Sequence, residues 1–213
     1  MITLFDYLPS QNAWKVRQLL HHLAIPYATK IISIFEGRGQ DADYLAINPW
    51  GAVPAIRLED GRVLSESNAI LWYLSGETCY RPRDPFAASK VLQWLSFEAD
   101  YVQANVGTLR YWTLTGKLAA RPAALLEGKR AASERALGIL DRELAARPFI
   151  VGEDYSIADI ALFAYAHLAA DAGIGTGRWP AFESWVARVR AQPGFLPQMF
   201  PYSIDPFSSG ELP

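Results

Sequence analysis

Four short stretches of the chain carry side chains whose types and positions could do chemistry. Ser10, Gln11 and Asn12 form a polar turn between a first apolar run and a helix-like pattern. A serine there can cap the helix, or its hydroxyl can donate to an anion held against the helix N-terminus, where the backbone supplies partial positive charge. Glu66-Ser67 stands in the same way between a strand-like and a helix-like stretch. The Ser67 hydroxyl and backbone N–H suit a carboxylate, and the Glu66 carboxylate suits an ammonium; a simple helix cap explains the serine equally well. Arg38 and Gln40 bring a cation and an amide into a loop with two glycines, where solvation alone also accounts for them. Ser156 and Asp159 have the spacing of a capping box, flanked by Tyr155 and Ile160 as a hydrophobic staple, which is a folding device and not a catalytic one.

The surrounding pattern says which elements must position these groups. Ile2 to Phe5 reads as a buried strand, and Val16, Leu19, Leu20 and Leu23 recur at helical spacing. Pro26 ends that helix, and the β-branched run from Thr29 to Phe35 reads as a second strand. A crossover of this length favours a parallel, right-handed pair. A short helical turn near Tyr44-Leu45 follows. Then come a strand over Val53 to Leu58, a turn with an Asp60-Gly61 signal, a short strand at Val63-Leu64, and a helix from Ala69. The order βαβαββα is that of a thioredoxin-like α/β domain, expected over residues 1–80.

Arg81-Pro82-Arg83-Asp84-Pro85 breaks the pattern, because prolines disfavour a continuous helix, and is expected to be a linker over 81–85. Residues 86–213 show no strand pattern and are expected to form an all-α helical bundle. Its helices are read at Ala87 to Trp112 (with a bend near Gly107), Pro122 to Ala146, Ile157 to Ala170 and Phe182 to Ala191, before a tail rich in proline and aromatics. Trp94, Phe97, Tyr101, Tyr111 and Trp112 fall on the first of these helices and suit a core face.

Of the 213 residues, 51% are hydrophobic and 20% charged, enough apolar surface for a sizeable core; the net charge of −2, without runs of one sign, points away from nucleic acid and anionic membranes. The single cysteine, Cys79, excludes an internal disulfide, argues against a zinc cluster and suits a reducing compartment; it is expected to be a small buried hydrophobe. The N-terminal stretch lacks a basic flank followed by a long apolar segment, and no run approaches the ~18–20 apolar residues of a membrane span, so a cytoplasmic protein is expected.

Three patterns together resemble the cytosolic glutathione S-transferases, in particular bacterial and theta-like members of the serine or asparagine type. They are Ser10 to Arg17; Asn48 to Ile56 followed by Leu64 to Ile70; and Val151 to Asp159, in the family's order over most of the chain. The resemblance implies that glutathione is the co-substrate, without a metal. It makes Pro54 the proline that follows a cis peptide bond, so that Val53 offers its N–H and C=O to the cysteinyl backbone as an added strand would. It assigns the γ-glutamyl carboxylate to Ser67, the γ-glutamyl ammonium to Glu66, and the glycine carboxylate to Arg38 and Gln40. Ser10 becomes the donor that stabilises the thiolate of a thiol whose free pKa is ~8.5, ahead of Asn12 and then Tyr7. Tyr101, Arg110 and Tyr111 become the electrophile site, and a homodimer is expected, with Asp100 approaching the partner's glutathione. Two departures stand out. Ala13 stands where many bacterial relatives have cysteine, and Ala52 where they have lysine. The activity implied is conjugation of glutathione to small hydrophobic electrophiles, a detoxifying role. A glutathione-dependent disulfide or peroxide reductase of the same fold, and a non-catalytic binding protein, are the alternatives.

Overall fold

The computed structural model describes residues 1–212. Two compact units divide the chain: residues 1–76 together with the tail from Leu196, and Glu77–Phe195.

The first unit is built on a four-stranded sheet in the order β2-β1-β3-β4. Strand β1 (Ile2–Asp6) runs parallel to β2 (Tyr27–Ile31) and antiparallel to β3 (Ala55–Arg57), which pairs antiparallel with β4 (Val63–Ser65). Helix α1 (Gln11–His22) makes the crossover between β1 and β2. A four-residue α2 (Ala42–Leu45) follows a 3₁₀ turn at Arg38–Gln40, and α3 (Ser67–Leu74) follows β4. Leu4, Val16, Leu20, Ile56 and Ile70 form one core between the sheet and its helices, with Phe5, Ile32, Tyr44 and Ala55 forming another. This is the expected thioredoxin-like arrangement. Strand β2 starts two residues earlier than the β-branched run suggests and ends at Ile31, because the chain turns back at 33–38, with Arg38 N–H donating to the Ser33 carbonyl.

The tail from Leu196 packs on α1. The Leu196 N–H donates to Gln18 Oε1 at 2.8 Å, its carbonyl accepts from Trp14 Nε1 at 3.1 Å, and Tyr202 packs against Tyr7 and Phe35.

The second unit is helical: α4 (Pro85–Phe97), a π-helical segment (Glu98–Gly107), α5 (Thr108–Leu114), α6 (Ala123–Leu144), α7 (Ile157–Ala166) and α8 (Pro180–Arg190). Where a bend is expected near Gly107, the helix widens into ten π-type residues; a Cβ at Gly107 would stand 3.0 Å from the Tyr165 ring, so the glycine permits close approach. Helix α7 ends four residues short of expectation, in a 3₁₀ turn at Ala169–Ala172 closed by Gly173 at φ +73. The capping box at its start is complete. Asp159 accepts from the Ser156 N–H and hydroxyl, and its other oxygen takes the Ile150 N–H and Trp185 Nε1. Burial pushes its carboxyl above the usual range against those four donors.

Candidate active site

The first unit brings Ser10, Asn12 and Ser67 together at the N-terminal ends of two helices. Ser10 caps α1, its Oγ accepting the Ala13 N–H at 3.3 Å; the hydroxyl proton stays free to donate elsewhere. Ser67 is the first residue of α3, and Glu66 takes the position before it. The Ser67 hydroxyl donates to Asn12 Oδ1 at 3.4 Å and accepts from Lys15 Nζ at 3.4 Å. Because the Asn12 oxygen is used there, the other end of its amide is the donating one.

Glu66 has φ +68 and ψ 113, a backbone conformation that L residues with a Cβ rarely adopt; its side chain is exposed and makes no cap hydrogen bond. This backbone strain falls on an exposed acid directly before a helix start.

Val53-Pro54 is held from the loop before it. The Val53–Pro54 bond is cis. The preceding carbonyl, that of Ala52, takes two hydrogen bonds, from Tyr44 Oη at 2.6 Å and Asn48 Nδ2 at 2.7 Å. Burial pushes the Tyr44 phenol up to about 12, so it stays a donor at physiological pH. The loop with Arg38 and Gln40 is locked to the same segment. A Cβ at Gly39 would fall 2.2 Å from the Gly51 carbonyl oxygen, and the Gln40 side chain lies against Gly51, which has φ +65. Arg38 is exposed and pairs with Glu36 at 3.1 Å and Asp41 at 3.6 Å. Thus Gln40 is placed beside the Val53 loop, whereas the Arg38 guanidinium is occupied by surface acids.

Behind the first turn, Arg17 donates to the Leu8 carbonyl at 2.9 Å, pairs with Asp6 at 3.4 Å and lies over the Phe200 ring. Burial raises the Asp6 carboxyl despite that arginine. An apolar hollow of about 270 Å³ flanks this turn, walled by Tyr7, Leu8, Pro9 and Ile31 on one side and by Ile204 and Phe207 of the tail on the other. In the helical unit, Tyr101 is half-exposed and stacks on Phe97, Tyr111 carries Lys117 Nζ 4.5 Å above its ring, and Arg110 is buried with Nε donating to Asp171 at 2.9 Å. Cys79, expected to be buried, is exposed in the turn after α3. Trp50 is exposed as well.

Residues 9–77 match the family model described as "Glutathione S-transferase, N-terminal domain", and residues 80–193 match "Glutathione S-transferase, C-terminal domain". A solved glutathione S-transferase from Pseudomonas fluorescens Pf-5 is 34% identical, with a TM-score of 0.89 over 92% of this chain and 98% of its own. The chain belongs to the glutathione S-transferase family. Another solved family member from the same organism, with two glutathione molecules bound, is 27% identical with a TM-score of 0.79, over 91% of this chain and 89% of its own. The disulfide-bond oxidoreductase YfcG of Escherichia coli K12 is 26% identical over 91% of this transferase-family chain and 92% of its own.

Several site features of this family member escape pattern reading. Tyr44 and Asn48, which fix the Ala52 carbonyl, look like core and loop residues. Lys15 looks like a solvent-facing position of an amphipathic helix, yet it is fully buried. No helix among the described residues is long and apolar enough to cross a membrane.

Proposed function

We propose that this protein is a glutathione transferase that conjugates the glutathione thiolate to small hydrophobic electrophiles. One observation carries the reading: Ser67 at the start of α3 lies in hydrogen-bond contact with Asn12 in the first turn of α1, one unit thus joining an anion site to a thiol site. In this reading the γ-glutamyl carboxylate rests at the N-terminus of α3, and Glu66 meets its ammonium. Val53 pairs with the cysteinyl backbone, and Gln40 and Arg38 reach the glycine carboxylate. The thiol then falls at the start of α1, where the Ser10 hydroxyl and the helix dipole favour the thiolate.

The electrophile's apolar body fits the hollow beside Leu8 and Pro9, a volume near the lower end for ligand sites. Within the helical unit, taken by itself, Tyr101 and Tyr111 are the side chains proposed for electrophile contact, and Arg110, tied to Asp171, holds α5 in place. A homodimer is proposed with this reading, on the likeness to the family alone. A cytoplasmic, detoxifying role follows from the same reading. Isothermal titration tests it: binding of glutathione at micromolar to millimolar concentration is expected, and absence of binding at millimolar concentration ends the proposal.

A second reading keeps the ligand and changes the reaction to glutathione-dependent disulfide or peroxide reduction. The orientation of the Asn12 amide favours it, and so does the likeness to YfcG. Comparing Ser10→Ala with Asn12→Ala in conjugation and in disulfide-reduction assays separates the two. Loss of conjugation on Ser10→Ala supports the transferase; loss of reduction confined to Asn12→Ala supports the reductase. The third reading, a binding protein without catalysis, requires glutathione to bind and both assays to be silent.

A further inference from the structure

The hollow beside the first turn carries one charge. Among the described residues Asp205 is the one charged member of its wall, set between Ile204 and Pro206 of the tail, with Tyr7, Leu8 and Ile31 opposite. Asp205 is 8% exposed. Its Oδ1 accepts the Phe207 N–H at 2.9 Å, and its own N–H donates to the Tyr202 carbonyl at 3.0 Å. The other carboxylate oxygen, Oδ2, is shielded from solvent and accepts no hydrogen bond from the described residues. No lysine or arginine among them pairs with it. Arg17, which lies over the Phe200 ring of the same tail, is taken up by Asp6 and the Leu8 carbonyl.

The turn itself does not need that charge. An asparagine at 205 would accept the Phe207 N–H through its amide oxygen and would be buried at lower cost. A carboxylate drawn out of water with a single donor keeps most of its field, and apolar walls screen that field poorly. The hollow is therefore a place of negative potential. It attracts a positive charge and repels a negative one, whether or not that charge touches Oδ2.

Resting on the transferase reading above, we propose that Asp205 sets the charge preference of the electrophile site. The hollow takes electrophiles whose apolar body carries a cationic group, a protonated or quaternary amine, over neutral and carboxylate-bearing ones. Its volume of about 270 Å³ suits one compact group of that kind.

The test uses the full-length protein and two 4-chloro-3-nitrobenzamides that differ at one centre. One carries an N-(2-trimethylammonioethyl) group; the other carries N-(3,3-dimethylbutyl), its uncharged isostere. In both, the glutathione sulfur bonds to the ring carbon that bears chlorine, chloride leaves with the bonding pair, and the thiol proton passes to solvent. A third compound, 1-chloro-2,4-dinitrobenzene, reports on conjugation itself. Two ratios of cation to isostere are read: kcat/KM in conjugation, and affinity by titration calorimetry without glutathione. Wild type is expected to favour the cation in both. Asp205→Asn is expected to lower both ratios by about five- to tenfold, the loss of one partly solvated charge interaction. A merely structural role for Asp205 would change the two compounds alike and leave the ratios where they were. If Asp205→Asn does not fold, Asp205→Ser carries the same comparison.

A wild-type protein that conjugates the dinitrobenzene but does not favour the cation overturns this inference and leaves the transferase reading standing. So does a folded Asp205→Asn that keeps the wild-type ratios. A wild-type protein that conjugates none of the three, yet binds the cation with a preference lost in Asp205→Asn, supports the charged site and overturns the transferase reading. One that neither conjugates nor binds any of them overturns both.

Discussion

Replacing Glu66 with glycine should make this protein more stable and less able to hold glutathione. Glu66 occupies φ +68, ψ 113, with its carbonyl accepting the Ile70 N–H at 2.9 Å and its side chain exposed. A residue with a Cβ held in such a region costs about 1–3 kcal/mol, which glycine does not incur. Glycine adds about 0.4–1 kcal/mol of unfolded-chain entropy to be lost on folding. The difference spans about 0–2.6 kcal/mol, with a central value of about 1.3 kcal/mol of stabilisation. For a chain of this size each kcal/mol moves the melting temperature by about 2–4 °C, so at the central value Glu66→Gly should melt about 3–5 °C above wild type. The same substitution removes the carboxylate proposed to meet the γ-glutamyl ammonium. At about 1–2 kcal/mol for a half-solvated charge-assisted contact, glutathione should bind about five- to thirtyfold more weakly. Glu66→Gln separates the effects, because it keeps the strain and loses the charge: it should bind as weakly as Glu66→Gly and melt with wild type. Scanning calorimetry and titration calorimetry read the two quantities. A Glu66→Gly variant that melts at or below wild type refutes the strain argument, and one that binds glutathione as wild type does refutes the placement of the ammonium.

Gly39→Ala should weaken glutathione by about tenfold while the fold melts cooperatively, because the new methyl meets the Gly51 oxygen and forces the Gln40 loop away from the Val53 segment; wild-type affinity in a titration would refute this. Asp159→Ala should destabilise the helical unit by about 3–5 kcal/mol, a fall of roughly 10 °C in melting temperature, since four buried donors lose their acceptor; a change below 1 °C would show that the box contributes little. His167, stacked on Phe163, has its pKa pushed down to about 3 by burial, against 6.5 when unfolded. Between those values the unfolded chain binds the extra proton, so its contribution to stability is lost as pH falls below 6.5, by at most about 1.4 kcal/mol per pH unit. Buried Asp6 and Asp159, with raised pKa values, act in the opposite direction, so the measurement is the difference between wild type and His167→Gln across pH 4.5–7.5. A difference that does not change with pH would contradict the neutral native imidazole.

Periodicity made the architecture readable because the core residues of each element recur at its own spacing: Leu4 on β1, Val16 and Leu20 on α1, Ile56 on β3 and Ile70 on α3 meet in one cluster. The capping box was readable for a similar reason, since Ser156 and Asp159 satisfy each other within one turn. What stayed hidden depends on chain brought from far away. Gln11 and Gln18 of α1 give no sign of being buried, yet both bond the tail from Leu196, and a partner some 180 positions away leaves no local signal. The tail's membership of the first unit was hidden for the same reason. The π-segment was invisible because residues that suit an α-helix also suit a wider one; only Gly107 marked the place, and only the Tyr165 ring explains it. Cys79 was misjudged from the average habit of cysteines, whereas it stands in an open turn.

The choice between Ser10 and Asn12 as the thiol's donor turns on wiring more than on nearness. Ser10 accepts the Ala13 N–H of its own helix, which leaves its hydroxyl proton to be donated within the first turn. Asn12 is connected through Ser67 to Lys15, and so to the start of α3. A serine donor would stabilise any thiolate that reaches the turn. An asparagine donor whose amide is oriented by that chain would be more demanding of where the thiol sits. Under the two proposed reactions the residues would represent different catalytic strategies in one turn. A transferase that must activate glutathione before an unrelated electrophile arrives is served by the first, and a reductase that must distinguish glutathione sulfur from other thiols is served by the second. Both are present, which is the physical reason the fold by itself leaves the two reactions so close together.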